Sequence, residues 1–157
     1  MSEAMSTVTQ PEATGVAGHS GSRKARILVI EDERHIARLL EHVLAKEGYE
    51  VTLVPDAEAG LDQIGAFRPD AVLLDVVLPG MSGLDLLKKL RADERWKALT
   101  VIVLSAQWFN HDDSTLVEAG ATAQCPKPIA PSKLLRKLQE CGVPAQRRVD
   151  DSPDQLV

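Results

Sequence analysis

The chain has 157 residues, a formal net charge of -5 and an apolar fraction of 44%, enough for one aliphatic core of ordinary domain size. Only 3% of residues are aromatic, which disfavours a stacking platform for single-stranded nucleic acid, and the acidic balance argues against broad contact with a phosphate backbone. Cys125 and Cys141 are too few for a disulfide framework or a zinc site, no apolar run approaches the ~18 residues of a membrane span, and the N-terminus has no apolar signal core, so a cytoplasmic protein is expected.

Residues 1–25 are rich in Ser, Thr, Gly, Glu and Ala and read as a disordered tail. Uninterrupted aliphatic runs follow at 27–30, 51–54, 71–74 and 101–104, with a weaker fifth at 121–125; such runs suit strands buried on both faces. The more polar run at 51–54 suits a sheet edge. Helical patterns lie between the runs. Ile36, Leu39, Leu40, Val43 and Leu44 form one apolar stripe, and Gly48 stops it. A short helix is expected over 57–66. Ser82 and Asp85 form a capping pair for a third helix that buries Leu84, Leu87 and Leu90. A fourth covers 113–119 and stops at Gly120. A fifth starts at Pro131 and buries Leu134, Leu135 and Leu138. Residues 141–157 read as a second short tail. Residues 26–140 therefore spell strand and helix five times over. That order predicts an α/β domain with right-handed crossovers and a doubly wound five-stranded parallel sheet, too short for an eight-fold barrel.

In such a sheet, ligands bind beyond the carboxyl ends of the strands. There the first run ends in Glu31 and Asp32, the third in Asp75 and the fourth in Ser105, and the fifth is followed by Lys127. Three carboxylates on one rim repel one another. One lysine cannot neutralise them, whereas a hard divalent cation with oxygen ligands would. Lys127, between Pro126 and Pro128, suits a phosphoryl group, Ser105 can donate a hydrogen bond to one, and the central carboxylate, Asp75, can be a nucleophile. Asp32 taken alone reads equally well as a helix cap; Asp75 does not, because Val76-Val77-Leu78-Pro79-Gly80 follows it.

With these motifs in place, residues 26–140 closely resemble the receiver domain of two-component response regulators. The resemblance is carried by "LVIEDE", "AVLLDVVLPGMSGLDLL", "VIVLSA" and "EAGATAQCPKPI". It implies a flavodoxin-like (βα)5 fold with strand order 2-1-3-4-5. It implies Asp75 as the acceptor of a phosphoryl group from a phosphohistidine on a sensor histidine kinase or histidine phosphotransfer protein. Mg²⁺ would be held by Asp32 and Asp75, by Glu31 through water and by the Val77 backbone carbonyl, with Ser105 and Lys127 on the phosphoryl group. Phosphorylation would shift a pre-existing equilibrium at the face of the fourth helix, fifth strand and fifth helix, in a monomer or a phosphorylation-dependent dimer. Val77 and Gln107 would flank the path of the hydrolytic water, and apolar Val77 predicts a long-lived phosphoryl state.

Two departures stand out. Gln124 occupies the fifth-strand position where the family commonly has an aromatic residue. Pro126 lacks a donor, so strand pairing is expected to end early there. Trp108 and Phe109 lie in the loop after the fourth run, as a partner contact or as packing under the fourth helix. The short remainder after residue 140 leads to the expectation of a stand-alone receiver acting on a downstream protein effector, without direct nucleic-acid or membrane contact. The alternative is a phosphorylation-independent pseudo-receiver binding module. A hydrolase of the haloacid-dehalogenase type is rejected: it needs a second Asp two positions after the first, where this chain has Arg34 and Val77. The protein is thus expected to be a phospho-acceptor rather than an enzyme, with only self-phosphorylation and weak self-hydrolysis.

Overall fold

The computed structural model describes residues 22–106 and 113–148. In chain order its elements are β1 (Ser22–Lys24), β2 (Arg26–Ile30), α1 (Arg34–Lys46), β3 (Glu50–Val54), α2 (Ala57–Phe67), β4 (Ala71–Asp75), α3 (Gly83–Ala92), β5 (Thr100–Ala106), α4 (Asp113–Ala119), β6 (Ala123–Lys127), α5 (Pro131–Glu140) and β7 (Gln146–Arg148). Five of the strands form one parallel sheet in the order β3-β2-β4-β5-β6. Counted within that sheet, this is the predicted 2-1-3-4-5 order. Among the described residues, no helix is long and apolar enough to cross a membrane.

The two-residue period of a strand splits the core into two layers. Leu28, Ile30, Val72, Leu74, Val101 and Val103 face α2, α3 and α4, meeting Ile64, Leu86, Leu87, Leu90 and Leu116. Ile27, Val29, Leu73, Ile102 and Leu104 face α1 and α5, meeting Leu40, Leu44, Leu134 and Leu138. β4 is covered on both faces, and all five of its residues are buried. The helices start and stop on local chemistry. Asp56 caps α2 by accepting from the Ala59 N–H at 2.8 Å, and Ser82 caps α3 by accepting from the Asp85 N–H at 3.1 Å. Gly48 and Gly120 take φ of +104° and +105° just past α1 and α4.

The structure shifts three details of the sequence reading. α1 turns Ala37, Leu40 and Leu44 inward, leaving Leu39 at the rim of the stripe and 49% exposed. α3 buries Leu86 with Leu87 and Leu90, while Leu84 is only partly covered. β6 does not end at Pro126: its register runs on to the Ala106–Lys127 pair. β6 is an edge strand, where a residue without an N–H on the outer side costs no ladder bond.

The ordered unit also reaches past residues 26–140 at both ends. β1 and β7, from the two stretches read as tails, pair antiparallel with Arg23 opposite Arg147. The tie is ionic. Both terminal nitrogens of Arg23 donate to the buried Asp70 carboxylate at 2.8 Å, which also accepts from the Arg26 N–H at 2.8 Å. Between β1 and β2, Ala25 is buried, with its N–H on the Ala145 carbonyl and its own carbonyl accepting from Glu50. Removing one partner of a buried, bidentate pair leaves a charge unpaired, so Arg23→Ala is expected to cost ~2–4 kcal/mol in urea unfolding. Exposed Lys24 next to it is the control, with Lys24→Ala expected within ~0.5 kcal/mol of wild type.

Candidate functional site

Parallel strands place all their carboxyl ends on one rim. Glu31 and Asp32 follow β2, Asp75 ends β4, Ser105 is the last-but-one residue of β5 and Lys127 ends β6. The structure brings Glu31, Asp75 and Lys127 into direct contact. Lys127 Nζ sits 2.8 Å from Glu31 Oε1 and 3.3 Å from Asp75 Oδ2. Glu31, Asp32 and Asp75 each offer a carboxylate oxygen within 4.8 Å of the others. Glu31 is 2% exposed and Asp75 5%, while Asp32 faces solvent. Asp32 is not the helix cap: that position falls to Glu33, which makes no side-chain capping bond.

Backbone donors orient the acids. Glu33 N–H reaches Glu31 Oε2 at 3.2 Å, and Val77 N–H reaches Asp75 Oδ1 at 3.1 Å. Glu31 Oε1 is buried and, although close to the lysine, receives no hydrogen bond with proper direction. Burial pushes the Glu31 carboxyl up to about 7 against the opposing pull of Lys127, with Asp75 adding to the rise. Burial works against the Lys127 charge too, but Glu31 and Asp75 together outweigh it and hold the ammonium above its ordinary value. The donor set is all oxygen and carries three acidic groups for one ammonium. That chemistry, with an unfilled lone pair on buried Glu31 Oε1, fits a hard divalent cation such as Mg²⁺.

One residue the sequence reading passed over belongs to this rim. A Cβ on Gly83 would run into the Asp75 carbonyl oxygen and lie 2.9 Å from Val76 Cα; the Gly83 N–H bonds the Val76 carbonyl at 3.0 Å. The start of α3 is therefore pressed against the backbone that carries Asp75. Only a missing side chain signals this, and such a signal is invisible until the loop closes. Gln124 donates from Nε2 to Ser105 Oγ at 2.9 Å, so the residue that departs from the family pattern still touches the rim. Gln107, Trp108, Phe109 and His111 lie outside the described residues. A cleft of about 560 Å³ opens over the acids, walled by Ile36, Val77 and Ala106 on its apolar side.

The sequence profile of the response regulator receiver domain matches residues 27–139. This chain belongs to that family. It is 34% identical over 134 residues to the DNA-binding response regulator MtrA of Mycolicibacterium paratuberculosis, a match covering 85% of this chain and 56% of the relative. The chain thus spans about half the length of the curated relatives it matches. The chemotaxis response regulator CheY4 of Vibrio cholerae superposes with a TM-score of 0.70 at 28% identity, over 75% of this chain and 98% of CheY4. The receiver domain of the sensor histidine kinase PA1611 from Pseudomonas aeruginosa PAO1, whose crystal structure has a magnesium ion coordinated in its active-site cleft, gives 0.69 at 31% identity over 76% and 98%.

Without metal, folded Glu31 keeps its proton up to about 7, while the unfolded chain releases it near 4.5. Folding binds a proton in that window, so this group's contribution to stability is present below 4.5 and lost as pH rises through 7. Glu31→Gln cannot ionise. Its stability advantage over wild type in EDTA is expected to grow between about pH 5 and about pH 8, and an equal difference in urea midpoint at both values would contradict the assignment. Gly83→Ala is expected to lose ~1–3 kcal/mol and to weaken Mg²⁺ binding, because backbone cannot yield as a side chain does. Gly60→Ala, whose Cβ would meet the Ile30 side chain rather than backbone, is expected to cost less in the same urea unfolding series.

Proposed function

We propose that Asp75 accepts a phosphoryl group from a phosphohistidine on a sensor histidine kinase or histidine phosphotransfer protein, and that the phosphorylated state is read by a downstream protein effector or passed on by further phosphotransfer. The observation that supports this best is the placing of Asp75 at the end of the central strand, with Lys127 Nζ 3.3 Å away and two more carboxylates beside it. A carboxylate oxygen of Asp75 attacks phosphorus, the P–N bond breaks, and the imidazole leaves as the neutral base after taking up a proton. Lys127 meets the phosphoryl charge as a point cation, and the Ser105 hydroxyl donates to a phosphoryl oxygen. Asp32 and Asp75, Glu31 through water and the Val77 carbonyl would hold Mg²⁺, which when bound offsets negative charge on the acids and the phosphoryl group. The backbone bonds to Glu31 and Asp75 pre-set both carboxylates, so little reorganises as charge develops.

The state change is read at the face of α4, β6 and α5, and the protein acts in the cytoplasm as a signalling phospho-acceptor. A binding module indifferent to phosphate would have no use for the buried, poorly satisfied carboxylate of Glu31, so the acceptor reading is preferred. Val77 is 54% exposed at the mouth of the cleft and, being apolar, cannot orient an attacking water.

The reading is checked with acetyl phosphate or phosphoramidate and Mg²⁺. One acid-labile phosphoryl group on Asp75 is expected, absent in Asp75→Asn and in EDTA, with a lifetime of minutes or longer. Labelling that survives Asp75→Asn, or decay within seconds, would contradict it.

A further inference from the structure

Ser105 and Gln124 stand on neighbouring strands, β5 and β6, joined through the Gln124 Nε2–H to Ser105 Oγ hydrogen bond at 2.9 Å. Ser105 is 4% exposed, while Gln124 is half-buried on the edge strand. The register fixes the pair: Gln124 lies opposite Val103, and Ser105 is two residues further along the same face of β5. A hydroxyl carries one proton and two lone pairs, whereas an amide NH₂ group can only donate. The bond therefore uses Ser105 as an acceptor and leaves its single proton uncommitted. Among the described residues, no protein acceptor takes that proton.

We propose that Gln124 is a positioning residue that fixes the polarity of Ser105. By donating to Oγ from the β6 side, it reserves the Ser105 proton for an oxygen of the phosphoryl group on Asp75. The inference rests on the acceptor reading of Asp75 given above.

The test compares initial rates of Asp75 labelling by phosphoramidate and Mg²⁺ in Q124M and Q124E, each made in the wild type and in S105A. Q124M keeps the length and loses the donor. Q124E is isosteric and reverses the polarity, so Ser105 would spend its proton on the new carboxylate. Both are expected to slow labelling by about tenfold in the wild type, the scale of one hydrogen bond to a charged group, with Q124E the slower. In S105A, Q124M is expected to change the rate by less than about twofold, and Q124E only by the part due to its added charge. Melting temperatures within a few degrees of the parent separate this from loss of folding. Q124E labelling as fast as wild type would overturn the inference, since Gln124 would then be acting as an acceptor. Equal slowing in both backgrounds would overturn it too, because the effect would not pass through Ser105. Wild type that takes no label at Asp75 would instead overturn the acceptor reading, and the inference with it.

Discussion

Glu31 is almost wholly buried next to Asp75, with Asp32 at the rim and Lys127, among the described residues, as the single cation in contact with these two buried acids. Ionised together, the three acids exceed the one ammonium by two charges, and a carboxylate taken out of water without full compensation is costly. Two releases are open: Glu31 holds a proton, which its rise to about 7 expresses, or a divalent cation joins the acids. A phosphoryl acceptor needs the second, because the incoming group is itself an anion. The rest of the rim serves that balance, with backbone N–H groups fixing Glu31 and Asp75 and glycine at 83 letting α3 close on the Asp75 backbone.

The opposite pole of the sheet offers the contrast. There Asp70 is also buried, but it is met by both terminal nitrogens of Arg23 and by a backbone N–H. Its charge is matched in number and direction, and the result is a fastening: β1 and β7 are held together beside the start of β2. Among the described residues, the buried acids thus lie in two places, Asp70 at one pole and Glu31 with Asp75 at the other. The matched one closes the structure, and the unmatched one is where chemistry is possible.

Most of the sheet and all five of its helices were legible in the sequence, because each rests on short-range pattern: aliphatic runs for strands, apolar stripes for helices, Ser82 and Gly48 as start and stop signals. The family was legible for the same reason, since its motifs sit at strand ends that the pattern locates. What escaped depends on contacts between distant positions. Arg23 and Asp70 are 47 residues apart, so nothing near Arg23 marks residues 22–24 as a strand. Pro126 looked like a strand end because edge position is a property of the sheet and not of the residue. Gln124 reads in the sequence only as a departure from the family pattern, because its partner, Ser105, is brought alongside by the β5–β6 register. Glu31 and Asp32 were legible as a pair, but their division into a buried and an exposed member needed the packed structure.

A divalent cation completing this acid cluster at Asp75 would be seen in a calorimetric titration of the full chain with Mg²⁺ at a pH above the Glu31 value. Saturable one-site binding, lost in both Asp75→Asn and Asp32→Asn, is the expected result. No saturable heat in the wild type, or binding that persists unchanged in both variants, would contradict it.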